Sequence, residues 1–318
     1  MFNTILFLLS LIAAPTWAFP VSTKPAFNWE TTKYFYAFGD SYTFVGGTKG
    51  YPKFSFIGSA LNFSYTPVDL LEDEIQFNVT ASDGPTWTEY LTGCFQGRPA
   101  DCSPHQLWNF AFSGADVEKS LIPLHHNFSV DLVDQVREWA TYGSDVVPHP
   151  ANETLTAFWI GINDTGDTLV NTTLDYKAFW EKEMDALFGA VQTAYDHDLR
   201  GAYLFVTVPP LDRSPDHLGT SIAPTYRQNI LDYNAALLAH AAAFGRAHAD
   251  VHVLTFDAHA FFTSVLDSAA SYGFTNITGF CECHDPTYFW WNTGHPTSHV
   301  HRLLAGAIEK ELIRASGR

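Results

Sequence analysis

Ser41 stands in Gly39-Asp40-Ser41-Tyr42, directly after the apolar run Lys33–Phe38, with Gly114, Asn163 and His295 following in order. A serine hydroxyl attacks a carbonyl carbon poorly until a base takes its proton, and the attack leaves negative charge on the former carbonyl oxygen. Fixed N–H donors stabilise that charge. These four positions can supply a nucleophile, donors for an oxyanion and a base. A lone Gly-Asp-Ser is weak evidence, since all three are common turn residues. Its setting strengthens it: Asn109-Phe-Ala-Phe-Ser-Gly114-Ala and Phe158-Trp-Ile-Gly161-Ile-Asn163-Asp164-Thr165 each follow a strand-like run.

The elements that must position these groups are visible as periodicity. Short aromatic and β-branched runs at Tyr34–Phe38, Trp108–Phe112, Thr156–Ile160, Tyr203–Val208 and Val251–Phe256 read as strands buried on both faces. Helical spacing predicts helices over Asp131–Tyr142, Tyr176–His197, Tyr226–His248 and Ser298–Ile313. Alternating β and α predicts a mainly parallel five-stranded sheet between two helical layers. Ligands bind such sheets at the carboxyl ends of the strands, where Ser41, Gly114 and Asn163 would emerge. The stretch Gly46–Gly97 reads as loops and short helices over that edge, and Gly273–Pro296 as an irregular segment. Thr297 is placed to cap the last helix.

On these residues the chain resembles the GDSL, or SGNH, esterase/lipase family across nearly all of 33–313. The resemblance implies a three-layer α/β/α flavodoxin-like fold, with Ser41 as nucleophile and His295 as base. It further implies an oxyanion hole of the Ser41 and Gly114 backbone N–H groups and the Asn163 amide, and no cofactor or metal. The segment Leu204–Pro215 is similar to secreted fungal members, among them saccharide acetylesterases. The family places an Asp three residues before its histidine, but here that position is Asn292. An asparagine can accept an imidazole N–H without offering a full charge. Three readings follow: Asn292 orients His295, another carboxylate such as Asp285 does so, or the protein only binds.

Charge and processing signals bound the setting. The formal net charge of −17 disfavours a nucleic-acid partner. Residues 1–18 read as a signal peptide cleaved before Phe19, with one hydrolase domain over 19–318, secretion, no membrane anchor and a monomeric state. Sequons at Asn62, Asn78, Asn127, Asn152, Asn171 and Asn276 fit passage through a secretory lumen. Asn163 is also a sequon, but a glycan there would block the proposed site. Cys94 and Cys102 are expected to close a loop; Cys281 and Cys283 could pair with each other or with the first two. Cys281, Cys283, His284 and Asp285 are metal-ligand types without a zinc spacing.

The reading that absorbs most of these features is a small-acyl, above all acetyl, esterase acting on a small ester or an acylated saccharide. A lipase or phospholipase would use the same residues with a longer apolar channel. A carbohydrate-binding glycoprotein would account for Asn292 and for Phe289, Trp290 and Trp291, which could stack on a sugar or simply fill the core. Flavodoxin-like cofactor binding lacks a glycine-rich phosphate loop after the first strand.

Overall fold

A computed structural model describes residues 26–58, 65–171 and 173–317. The expected signal peptide and the Asn62 sequon lie outside them. Five strands, β1 Tyr34–Gly39, β2 Gln106–Asn109, β3 Thr154–Trp159, β4 Ala202–Val206 and β5 His252–Phe256, form one sheet in the order β2-β1-β3-β4-β5. Every pairing is parallel. The strand order reverses beside β1, which places its carboxyl end in the crevice where such sheets bind ligands.

The sheet's alternation explains its two covered faces. Phe110, Phe38, Phe158 and Phe205 form a ladder of stacked rings across four neighbouring chain segments, with centroids 5.3, 5.2 and 5.7 Å apart. Helices α3 Leu132–Glu138, α5 Tyr176–Asp196 and α6 Ala223–Ala247 belong to this face. Trp139 at the end of α3, Phe188 of α5 and Phe244 of α6 meet Phe38, Phe205 and Tyr203. On the opposite face Trp87, from α2 Trp87–Thr92, packs edge-on against Phe35 and Trp159. Helix α2 lies along α8 Ser298–Ala315. The remaining α-helices among the described residues are α1 Pro67–Glu72, α4 Ile162–Asp167 and α7 Ala258–Asp267.

Several expected boundaries change for local reasons. The second strand starts at Gln106 and ends at Asn109, rather than spanning Trp108–Phe112. Asn109 ends it by accepting the Ala111 N–H at 3.0 Å and donating to the Thr43 carbonyl at 2.7 Å. β5 is an edge strand with four of its five residues at least partly exposed, not one buried on both faces. Within the 46–97 stretch, α2 belongs to a face layer rather than lying over the ligand edge. The 273–296 segment is not wholly irregular either, because β6 Asn276–Phe280 pairs there with β7 Tyr288–Trp290. Thr297 does occupy the N-cap position of α8, but its hydroxyl donates to the Tyr288 carbonyl. Asp83 instead accepts the Ser298 N–H, at 2.6 Å. A distant loop thus supplies the cap that the sequence places next door.

Disulfides join Cys94 to Cys102 and Cys281 to Cys283. The second bond removes both sulfurs from any thiolate ligand set. Asn78, Asn127, Asn152 and Asn171 are exposed and Asn276 is partly so, whereas Asn163 is half-buried and hydrogen-bonded. No helix among the described residues is long and apolar enough to cross a membrane.

Candidate active site

Ser41 follows the end of β1 because Gly39 lets that end approach β3. A Cβ on Gly39 would sit 2.1 Å from the Trp159 carbonyl oxygen. Asp40 then shapes the turn by accepting the Tyr42 N–H at 2.9 Å, and burial pushes its carboxyl up to about 8. This buried acid holds backbone rather than facing the serine's proton.

The loop before α8 brings His295 back to Ser41. His295 Nε2 lies 2.8 Å from Ser41 Oγ, and His295 Nδ1 lies 3.0 Å from Asn292 Oδ1. The same Asn292 oxygen accepts the backbone N–H groups of Gly294 and His295 at 3.0 and 2.7 Å. Those two donors orient the amide with its oxygen toward them. His295 must therefore carry its proton on Nδ1, leaving the Nε2 lone pair for the serine hydroxyl. Asp285 is engaged elsewhere, accepting the Thr287 N–H and hydroxyl at 2.9 and 2.8 Å. Tyr42 backs the imidazole, with ring centroids 5.4 Å apart, and its hydroxyl donates to the Gly294 carbonyl. Burial lowers the His295 pKa to about 4, with a smaller contribution from nearby His125.

Asn163 is tied by its side chain to Ala115, the residue after Gly114. Gly114 has φ +78°, and a Cβ there would meet the His126 ring at 3.0 Å, so both backbone and space favour glycine. The Phe112 N–H donates to the Gly39 carbonyl at 3.0 Å, which ties this turn to the end of β1. Asn163 Nδ2 donates to the Ala115 carbonyl, and the Asp164 carboxylate accepts the Val117 N–H, both at 2.8 Å. Consecutive residues of α4 therefore grip the loop that follows Gly114.

A cavity of about 260 Å³ opens over this arrangement, lined by Ser41, Asn163, Asn292 and His295 and by His125, Asp167, Asp216 and His217. Gly114 is not part of its lining. His125 and Asp167 were not legible as a pair: His125 Nδ1 lies 2.7 Å from Asp167 Oδ2 across 42 residues of sequence. The available signal was that Asp167 stands four residues after Asn163, one helical turn along the same face. Phe289 and Trp290 are fully buried in the core, which rules them out as an exposed stacking platform. His301 is also buried, behind Tyr42, and His299 Nδ1 donates to the Pro286 carbonyl at 2.9 Å. A larger groove, about 670 Å³, lies between β5 and α8 and contains none of the residues discussed above as site candidates.

Behind the site, Asp116, Asp164 and Glu183 are buried close enough to repel one another. Burial first, and mutual repulsion second for Asp116 and Glu183, raises these carboxyls toward the neutral form. Their raised folded-state pKa values make them a stabilising contribution at low pH that is lost as pH rises through the neutral and alkaline range. His295 and His301 have the opposite sign, with folded values lowered to about 4 and 3, so their cost appears only as pH falls below the free-histidine range. The melting temperature is expected to fall between pH 6.5 and 8.5, and Glu183→Gln should flatten that slope. Scanning calorimetry across this interval checks it; a rising melting temperature would contradict the assignment.

The sheet order, the helical layers and the serine–histidine pair at the strand ends define an α/β/α hydrolase scaffold. The chain belongs to the GDSL-like lipase/acylhydrolase family, whose sequence profile matches residues 35–308. It is a carboxylic ester hydrolase. An acetylesterase of Thermothelomyces thermophilus is 29% identical over 287 residues, covering 87% of each chain. Among solved structures, a GDSL-like protein from Parabacteroides merdae is 15% identical, with TM-score 0.49 over 92% of this chain and 99% of that one. A variant of an acetyl-xylooligosaccharide esterase from Geobacillus is likewise 15% identical, with TM-score 0.48 over 89% and 96% of the two chains.

Proposed function

We propose that the protein is a secreted serine esterase that removes small acyl groups, above all acetyl, through an acyl-Ser41 intermediate. The carrying observation is the continuous set of contacts from Ser41 Oγ to His295 Nε2 and from His295 Nδ1 to Asn292 Oδ1. His295 takes the hydroxyl proton as Ser41 Oγ bonds to the carbonyl carbon. The Ser41 and Gly114 N–H groups and the second Nδ2 hydrogen of Asn163 hold the resulting oxyanion. Collapse breaks the bond to the alcohol oxygen, which takes the proton from His295. Water, deprotonated by His295, then attacks the acyl-serine and releases the acid and free Ser41.

The acetyl preference is supported by the acetylesterase relative and by the polar cavity wall of His125, Asp167, Asp216 and His217. A lipase would need an apolar channel for a long chain. The test is hydrolysis of p-nitrophenyl acetate, butyrate and decanoate, with a fluorophosphonate label to capture the nucleophile. The expected result is fastest turnover of acetate and a covalent adduct on Ser41. Preference for decanoate would favour the lipase reading, and no turnover by folded protein would favour a binding role. The reading as a secreted protein is supported by the N-terminal segment and the exposed sequons. It predicts a mature chain beginning at Phe19.

Asn292 is the position that departs from the family pattern. One amide oxygen serves three donors, so a carboxylate there would add a second oxygen as well as a charge that favours imidazolium. Asn292→Asp is expected to retain or raise kcat at pH 8. The wild-type acidic limb, set by His295, should lie near pH 4. In the variant that limb should move up by about one pH unit or more. A pH–rate profile checks both outcomes, and a large loss of kcat with the fold intact would overturn the orienting role.

A further inference from the structure

The esterase chemistry uses one wall of the cavity and leaves the His125–Asp167 pair unexplained. His125 comes from the loop before α3, whereas Asp167 ends α4, one turn beyond Asn163. Their 2.7 Å contact is formed inside the cavity that also contains Ser41 and His295, and both side chains keep partial exposure, 39% and 29%. A pair built only for stability could form on any surface of the molecule. This one lines the same cavity as Ser41 and His295.

Its chemistry selects for a particular kind of ligand. The His125–Asp167 contact uses Nδ1 and one carboxylate oxygen, leaving the imidazole Nε2 and the second carboxylate oxygen to interact with a bound molecule. Donating its Nδ1–H to the Asp167 carboxylate raises the His125 pKa, which favours an N–H donor at Nε2 beside an anionic acceptor. A donor and an acceptor side by side match a hydroxyl group, which is itself both. An alkyl chain in the same place would desolvate both without replacing their hydrogen bonds. Ser214, Asp216 and His217 continue the polar wall.

We infer that His125 and Asp167 are specificity-determining residues that hydrogen-bond a free hydroxyl on the alcohol portion of the ester, making polyhydroxy acetates the preferred substrate class. This rests on the small-acyl esterase reading above: an acetyl group has no hydroxyl, so the recognised one belongs to the alcohol. The experiment compares kcat/KM for glycerol monoacetate and ethyl acetate in the wild type, His125→Gln and Asp167→Asn, with melting temperatures measured alongside. The wild type is expected to prefer glycerol monoacetate, and each variant should reduce the ratio of the two constants by about tenfold to a hundredfold, as loss of a charge-assisted hydrogen bond would. Most of that change should appear in KM. A wild-type ratio near one, or variants that slow both esters equally, would overturn the inference while leaving the esterase reading intact. Failure of the wild type to hydrolyse either ester would instead overturn both. Because the ratio is read within one protein sample, partial unfolding of a variant cannot imitate the expected result.

Discussion

Ser41→Ala is expected to reduce kcat/KM for p-nitrophenyl acetate by on the order of 10⁴ to 10⁶. The hydroxyl lies 2.8 Å from His295 Nε2, and on the proposed mechanism alanine leaves the imidazole with no hydroxyl to activate. Ser41 is buried in a turn held mainly by backbone and Asp40 contacts, so losing one oxygen should leave the fold unchanged. The fluorophosphonate adduct should disappear with turnover, and circular dichroism should match the wild type. Residual activity within tenfold of the wild type would sink the acyl-serine mechanism and leave His295 as a base acting directly on water.

Asn163→Ala should lower kcat by about 10² to 10³ with little change in KM, the loss expected for one preorganised oxyanion donor. The split between constants is informative because the donor is needed most when charge has developed on the oxygen. Asn163 also donates to the Ala115 carbonyl at 2.8 Å, so its loss could let the loop after Gly114 relax. The Val117–Asp164 hydrogen bond remains in the variant and limits that relaxation. Steady-state kinetics with a melting-temperature measurement decide the case: a rise in KM with kcat unchanged would assign Asn163 to ground-state binding instead.

The layered fold was legible because its signals are local. A strand buried on both faces must be a short apolar run, and a helix covering a sheet must repeat its apolar residues every three or four positions, so Phe35–Phe38 and Phe179–Val191 declare themselves without any knowledge of their neighbours. Element ends were less legible, because they depend on who accepts the last hydrogen bond. Asn109 ends its strand with its own side chain, and Asp83, 215 residues away, caps α8 in place of Thr297. Likewise the stretch around β6 and β7 carries no clear period, since its strands, of five and three residues, are too short to show one.

By itself, the amino-acid order determined which chemical groups stand at the strand ends: Ser41, Gly114 and Asn163 each follow an apolar run, and His295 precedes the last helix. It also showed that an asparagine, Asn292, stands where the family places its aspartate. Only the tertiary structure decided that Asn292 rather than Asp285 meets His295, that the Cys281–Cys283 sulfurs join each other, and that His125 and Asp167 share the cavity. The physical reason is distance along the chain against distance in space. Hydrophobic periodicity is written residue by residue, whereas a hydrogen bond across 42 or 254 positions exists only after the sheet and its helices have brought the partners together.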